Sequence, residues 1–422
     1  MLRPVPRPVH PLALAPRQGG RAARVRGLPR PWLAWLAALA LTGSELARAA
    51  DTSPKPDTAG PVAPAISEEA MLAELAELEK LARPPVWSVG GSLRAGGGYR
   101  DNVLLSSFSP VRAGFLTVGG DFTLNRLPVD GTEVSLLASG DYIAFVEEPA
   151  AEPEALVLTQ AELKRALGRD WTAGLRAQYV FLNQFYDVSA TEAELTTVLA
   201  RGHLVSAAPS LSRSLGGDWS FTAAFEGARQ IFESPLDPYW EATPSGTLTR
   251  SLGKRGEIAL TYRYDRRWYD ERPALDAEGN ALPFRLQFDS HEAELRPRVY
   301  WDAARRWSTR LRLGALVNRD NGGGYFDYTR YTAGVQLRYR AAGWTGLAEL
   351  RAQRYEYETR RAAGPASPLR RKDDWSLRLR AERQLSRRWT LFAQWDRETS
   401  ADRLPDSDYQ ANTVQLGLEW EP

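Results

Sequence analysis

Apolar and polar residues alternate along almost the whole chain from Val86 to the C-terminus. The segment 331–340 is the clearest case, because every second residue is apolar and the residues between them are polar or charged. The apolar set consists of Tyr331, Ala333, Val335, Leu337 and Tyr339. A period of two residues predicts β-strands with one apolar and one polar face. Segments of this kind begin near positions 86, 113, 133, 156, 171, 203, 219, 239, 257, 285, 307, 328, 344, 373, 389 and 409.

The connections between these segments alternate in length. Short turns such as GRD, GGD and AAG follow even-numbered segments, whereas longer polar stretches such as DERPALDAEGNALP and TRRAAGPASPLRRKD follow odd-numbered ones. This asymmetry and the segment lengths are typical of transmembrane β-barrels, in which every strand edge must be paired. A soluble propeller would place four short strands in the length that here holds two long ones. We therefore predict an all-β fold, an antiparallel transmembrane barrel of about 16 strands over residues 86–422, with 14 or 18 strands as alternatives.

Tryptophans mark the starts of the odd-numbered strands. Five of them follow a short turn directly: Trp171, Trp219, Trp307, Trp344 and Trp389. Residues of this type anchor barrels at the membrane surface, so we predict that these five lie at one height. A second aromatic girdle is expected near the opposite strand ends, formed by Tyr186, Phe232, Trp268, Tyr269, Tyr328, Tyr355, Trp375 and Trp395. Pro209 and Pro297 fall inside strands, where we expect bulges because proline cannot donate to the ladder.

The first 85 residues differ from the rest. Residues 1–49 combine an Arg-rich start, the apolar run WLAWLAALALTG and an A-x-A motif, which predicts a secretory signal peptide cleaved before Ala50. Residues 50–66 are Pro-rich and predict a linker. Residues 67–85 predict a short amphipathic helix that packs on the barrel, plugs its lumen or contacts a periplasmic partner. The chain is therefore expected to be exported, with the cell outer membrane as its destination.

The residue composition limits which catalytic and metal sites the chain can form. The chain has no cysteine, three histidines, and a net charge of +2 from 54 Lys+Arg and 52 Asp+Glu, which gives no general attraction to nucleic acid. Neither His203 nor His291 has a serine two positions away to act as a nucleophile, although Asp289 could orient His291. We therefore expect no catalytic residues, no metal site, no cofactor and no enzymatic activity.

The polar parity is strongly charged in the second half of the chain. Its members are Arg263, Arg296, Arg298, Arg310, Arg312, Arg338, Arg340, Arg351, Arg378, Arg380, Asp265, Glu292, Glu294, Glu349 and Glu382. If the apolar parity faces lipid, these side chains line the lumen and make its wall basic on one half. Such a wall could contact anions or anionic sugars, or it could be a lattice of cross-strand ion pairs that binds nothing.

Three stretches carry a family resemblance. SLRAGGGYRDNVLLS in the first strand, the recurring P-x-L-x-x-S-L-turn-W hairpins and the terminal TVQLGLEWEP resemble the β-barrel porins of Gram-negative bacteria, including barrels linked to exopolysaccharide export. The resemblance implies contact with outer-membrane lipid and lipopolysaccharide. It also implies insertion by the barrel-assembly machinery through the last strand, although here Trp420 is followed by two further residues.

The resemblance and the charged inner wall together predict a passive channel for small, anionic solutes. Two alternatives remain open: a component of exopolysaccharide export or surface assembly, and a structural barrel that conducts nothing.

Overall fold

The described part of the chain forms one closed β-barrel. The computed structural model describes residues 86–422 except 129, 147, 149–150, 194–196 and 406. Sixteen antiparallel strands pair with their neighbours in chain order, and β1 closes the ring against β16. The strands are β1 (Trp87–Arg100), β2 (Ala113–Arg126), β3 (Thr132–Val146), β4 (Glu154–Ala166), β5 (Trp171–Asp187), β6 (Thr197–Gly216), β7 (Trp219–Phe232), β8 (Tyr239–Ser251), β9 (Gly256–Leu275), β10 (Ala281–Tyr300), β11 (Trp307–Asp320), β12 (Tyr328–Ala341), β13 (Trp344–Arg361), β14 (Leu369–Gln384), β15 (Trp389–Asp402) and β16 (Tyr409–Trp420).

This confirms the predicted barrel and its strand number. The predicted signal peptide, linker and helix at 67–85 lie outside the described residues. Within the described residues the one helix is the 3₁₀ turn Gly253–Arg255, and no helix is long and apolar enough to span a membrane.

The two ends of the barrel differ in their connections. The end reached after even-numbered strands, which we call the turn side, also holds the start of β1 and the end of β16. The other end is the loop side. Much of the predicted loop sequence there is strand: of DERPALDAEGNALP only residues 276–280 connect β9 to β10, and 362–368 connect β13 to β14. These hairpins extend because strand pairing continues to satisfy backbone N–H and C=O groups.

The outer face of the barrel is apolar, and within the described residues it is exposed. Val89, Leu116 and Leu416 are 70%, 62% and 57% exposed, and similar side chains cover the outward parity of the other strands. Apolar area of this extent is unfavourable in water, and a closed barrel leaves no second sheet to cover it. The face therefore suits the hydrocarbon core of a bilayer.

Aromatic residues follow the prediction at the turn side but only partly at the loop side. All five predicted tryptophans begin odd-numbered strands and lie on the outer parity, as does Trp87. At the loop side, Trp268, Trp375 and Trp395 share the outer parity. Four members of the predicted second girdle face inward instead, where they pack beside the folded mouth of the barrel: Phe232, Tyr269, Tyr328 and Tyr355.

The strand prolines do not create the predicted bulges. Pairing between β6 and β7 stops at Pro209 but resumes at Ser210 in an unchanged register. The ladder between β10 and β11 is interrupted at Pro297 in the same way. The missing N–H donor therefore removes local pairing without shifting the strands.

Glycines permit close packing where the ring closes between β1 and β16. A Cβ at Gly98 would lie 2.1 Å from the carbonyl oxygen of Val414 and 2.5 Å from the Phe115 ring. The backbone oxygen belongs to the neighbouring strand, so it cannot retreat without opening the seam.

We expect Gly98→Val to lower the stability of the barrel by about 1–3 kcal/mol, the usual cost of overpacking, and to reduce the folded fraction after refolding into lipid. Heat-dependent gel migration measures that fraction. Gly227→Val is the matched control, because nothing lies within 4 Å of a Cβ at that position. Equal folding of both variants would contradict the role of Gly98.

Candidate functional site: the barrel lumen

The strand registers place every predicted lumen residue on the inner face. Glu292 lies opposite Arg263, and Glu349 lies opposite both Gln336 and Arg378. Glu292 and Glu294 are 6% and 3% exposed, in contrast with the apolar residues of the outer parity. The alternation in sequence thus separates a charged lumen from an apolar exterior.

Most of these charges pair with one another. The Glu294 carboxylate accepts a hydrogen bond from Arg312, and its Oε1 lies 3.0 Å from Arg296 Nε. Arg263 Nη2 lies 2.7 Å from Glu292 Oε2. Seven of the ten predicted arginines have a carboxylate partner: Arg263, Arg296, Arg298, Arg312, Arg351, Arg378 and Arg380. This part of the inner wall is the ion-pair lattice that the sequence left open as an alternative.

Three arginines lie outside that lattice. Arg310, Arg338 and Arg340 are exposed to the lumen, and no carboxylate of the described residues lies within ion-pair distance of them. Arg310 Nη1 reaches only Gln336 Oε1, at 3.5 Å. Arg338 lies opposite Ser308, next to the turn-side Trp307, and the charges of Arg310 and Arg340 repel it. We call these three residues the turn-side arginine cluster.

The opposite half of the wall also contains arginine. Arg94, Arg100 and Arg176 also face inward, because the period-two rule applies equally to β1 and β5. Each is neutralised by carboxylates: Asp121 and Asp141, Glu154, and Glu226, respectively. Unbalanced positive charge in the described lumen is therefore concentrated on β11 and β12.

A segment between β5 and β6 crosses the loop-side mouth. Residues 188–193, which we call the mouth loop, contact β13 and β14, which stand eight strands away from β5 and β6 in the ring of sixteen. Tyr357 Oη donates to Ala190 O at 2.8 Å. Arg360 donates to Glu192 O at 3.0 Å and to Ala193 O at 3.1 Å. The loop therefore spans the diameter of the barrel.

Buried charges hold this crossing in place. Arg370 Nη1 donates to Ser189 O at 2.6 Å and forms an ion pair with Asp402 in which both side chains are fully buried. Lys372 Nζ lies 2.6 Å from Asp187 Oδ2, at the end of β5. From β9, a third part of the barrel wall, Arg272 Nη1 lies 2.7 Å from Glu192 Oε1.

Burial also affects the ionisation of the mouth loop. Burial raises the pKa of the Glu192 carboxyl, although Arg272 acts in the opposite direction. The sequence did not predict these anchors. The stretch TRRAAGPASPLRRKD, which contains Arg360, Arg370 and Lys372, was predicted to be an external loop. Its concentration of arginines on either side of PASP was the available signal.

Below the mouth loop the lumen contains a cavity of about 640 Å³. Asp141 and Gln184 line one side, and Arg351 and Arg378 line the other. Val103, from the connection between β1 and β2, borders it as well. Small hydrated solutes therefore meet polar and charged groups on both walls.

A closed ring of sixteen long strands with an apolar exterior and a charged lumen is the architecture of a transmembrane β-barrel. The molecule is a 16-stranded transmembrane β-barrel.

Comparisons with known proteins add solved structures of similar barrels. No family model and no curated protein matches the chain. The anion-selective porin from Comamonas acidovorans is 10% identical, with 80% of this chain and 99% of that chain covered and a TM-score of 0.43. OccAB2 of Acinetobacter baumannii is 10% identical (79% and 98% covered, TM-score 0.44), and a bacterial polysaccharide outer membrane secretin is 9% identical (79% and 98%, TM-score 0.40). The strand pairing of the chain itself, and not these distant likenesses, shows the fold of the barrel.

The two histidines of the barrel lie on its outer face. His203 Nδ1 is 2.9 Å from Tyr179 Oη, and His291 Nδ1 is 2.7 Å from Tyr262 Oη. Asp289 accepts a hydrogen bond from Tyr264. Within the described residues no group of three or more His, Asp or Glu side chains could hold a metal ion.

Proposed function

We propose that this protein is an outer-membrane channel for the passive diffusion of small solutes, with a preference for anions. The turn-side arginine cluster is the observation that carries the proposal. Guanidinium groups stay protonated at any physiological pH, so Arg310, Arg338 and Arg340 present permanent positive charge to the lumen. Low-dielectric walls focus the field of such a cluster along an aqueous path.

The remaining lumen groups have supporting roles in this proposal. The mouth loop limits the size of solutes that enter from the loop side. The ion-pair lattice keeps the rest of the wall polar without a large net charge, so a solute can leave it again. The arginine cluster then raises the local concentration of anions near the turn side.

The proposed setting is the bacterial outer membrane, with the apolar face in contact with lipid and lipopolysaccharide. Recognition by the barrel-assembly machinery would involve β16, which ends at Trp420 on the outer parity. A periplasmic contact through residues 67–85 stays a prediction, because that segment lies outside the described residues. Polymer export also stays a prediction, because it depended on the predicted helix at 67–85.

The direct test is the ion selectivity of the refolded barrel in planar bilayers. Under a KCl gradient we expect a reversal potential of the sign that reports chloride permeating faster than potassium. A cation-selective channel would contradict the anion preference, and the absence of any conductance would favour the structural barrel.

A further inference from the structure

Three turn-side tryptophans are each stacked against an arginine of the following strand. The strand register sets Trp171 opposite Arg213 and Trp219 opposite Arg250. The guanidinium carbons lie 5.1 Å and 5.4 Å from the indole centroids. Trp344 and Arg383 repeat the arrangement at 5.0 Å. All three pairs lie on the outer parity.

These arginines have no acidic partner. Among the described residues no carboxylate lies within ion-pair distance of Arg213, Arg250 or Arg383. Arg383 makes one further bond, from Nη1 to the Ala342 carbonyl oxygen at 3.1 Å. Stacking on an indole face leaves the N–H groups at the edge of the guanidinium plane available to an acceptor.

Two loop-side pairs of the same kind are neutralised by a carboxylate. Arg229 stacks on Trp240 at 5.0 Å, and Arg266 stacks on Trp268 at 5.6 Å. Arg229, however, forms an ion pair with Asp270, and Arg266 Nε lies 3.7 Å from Asp289. A third loop-side pair, Arg397 over Trp375 at 5.3 Å, has no carboxylate within ion-pair distance among the described residues, but Arg397 donates to Gln410 Oε1 at 3.0 Å. The turn-side guanidinium groups therefore differ from the loop-side ones in having no side-chain acceptor within the described residues.

The surroundings of the turn-side pairs are amphiphilic. Farther along the strands toward the centre of the barrel, the outward residues include exposed apolar side chains, with Leu175, Leu211 and Phe221 at 48%, 41% and 42%. On the other side are the turns, which carry two acids, Asp170 and Asp218, and five cations: Arg169, Lys254, Arg255, Arg387 and Arg388. A cation at the border between an apolar surface and turns with an excess of cations complements a molecule with acyl chains and an anionic head.

We propose that Arg213, Arg250 and Arg383, each with its tryptophan, bind the phosphate group of an anionic glycerophospholipid in the turn-side leaflet. The guanidinium group donates two parallel hydrogen bonds to phosphate oxygens, the indole edge lies at headgroup level, and the acyl chains lie on the apolar face. This inference does not depend on what the lumen conducts.

The test compares two variants of equal charge change by native mass spectrometry of the full-length barrel in detergent micelles. Arg213→Gln/Arg250→Gln removes two turn-side guanidinium groups, and Arg229→Gln/Arg266→Gln removes two loop-side ones. Each protein is titrated with phosphatidylglycerol and, separately, with phosphatidylcholine. We expect the turn-side variant to lose phosphatidylglycerol adducts several-fold relative to wild type, and the loop-side variant to retain them.

Equal adduct retention by the turn-side variant and wild type would overturn the proposal, as would an equal loss in both variants. Inorganic phosphate, added as a competitor, is expected not to displace the lipid, because it lacks acyl chains. Displacement at matched concentration would instead show a simple phosphate site. Gel migration verifies folding, and should the double variant fail to refold, the single Arg213→Gln variant is expected to show a partial loss of adducts.

Discussion

Replacing Arg310, Arg338 and Arg340 together with glutamine is expected to abolish the anion preference of the channel. No carboxylate of the described residues lies within ion-pair distance of these residues, so their field acts on mobile ions. Focused fields of this kind raise local counter-ion concentrations about tenfold or more, and we expect the chloride-to-potassium permeability ratio to fall by roughly that factor. Reversal potentials under a KCl gradient measure the ratio directly.

The control removes an ion pair from the same lumen without changing its net charge. Arg378 Nε lies 2.6 Å from Asp396 Oδ1, and both side chains are partly exposed. Arg378→Gln/Asp396→Asn should therefore leave selectivity close to that of wild type and alter stability little. Wild-type selectivity should also decline as salt rises, because the screening length shortens from about 10 Å at 0.1 M to about 3 Å at 1 M. An unchanged ratio in the triple variant would remove the cluster from the mechanism.

The sequence predicted which way the lumen side chains point but not which of them find partners. One face of each strand meets lipid and the other meets water, so apolar and polar residues must alternate along the strand. This parity alone placed Arg312 and Arg338 on the correct face. Pairing depends on the register between strands and on side-chain reach. Arg312, on β11, reaches Glu294 on β10, whereas Arg338 has no carboxylate within reach in the described lumen. Only the three-dimensional structure therefore separates the arginines of the ion-pair lattice from those of the turn-side arginine cluster.

The mouth loop was beyond prediction for a related reason. Its anchors on β13 and β14 lie 167 to 181 residues away in sequence, and Arg360 and Arg370 come from a stretch whose Gly, Pro and Arg content is that of an exposed loop. Tyr328 and Tyr355 were predicted to be interfacial residues because they lie near the strand ends where the second aromatic girdle was expected. Only the inward register shows that they line the mouth, where residues 188–193 cross it.

The second large effect is expected from releasing the mouth loop. Arg360 donates to backbone carbonyls of the loop and has no carboxylate partner among the described residues, so Arg360→Met leaves no buried acid behind. Hydrogen bonds from a charged donor contribute about 1.5–3 kcal/mol each, so losing this residue should loosen the loop, which Tyr357 and Arg370 then hold with fewer bonds. We expect a several-fold rise in single-channel conductance, with increased open-channel noise. Replacing Arg370 instead would strand the buried Asp402 carboxylate and destabilise the barrel by about 3–5 kcal/mol, which would confuse the result.

Arg361→Met is the matched control, because Arg361 is exposed and its Nη1 bonds only to Ser367 O in its own connection. The chain contains no cysteine, so Ser189→Cys introduces a unique thiol at a position that is 2% exposed. A water-soluble maleimide should label it slowly alone or with Arg361→Met, and rapidly with Arg360→Met. Unchanged conductance and unchanged labelling would show that Arg360 does not hold the loop. Faster labelling at unchanged conductance would place the narrowest point deeper, at the ion pairs of the inner wall.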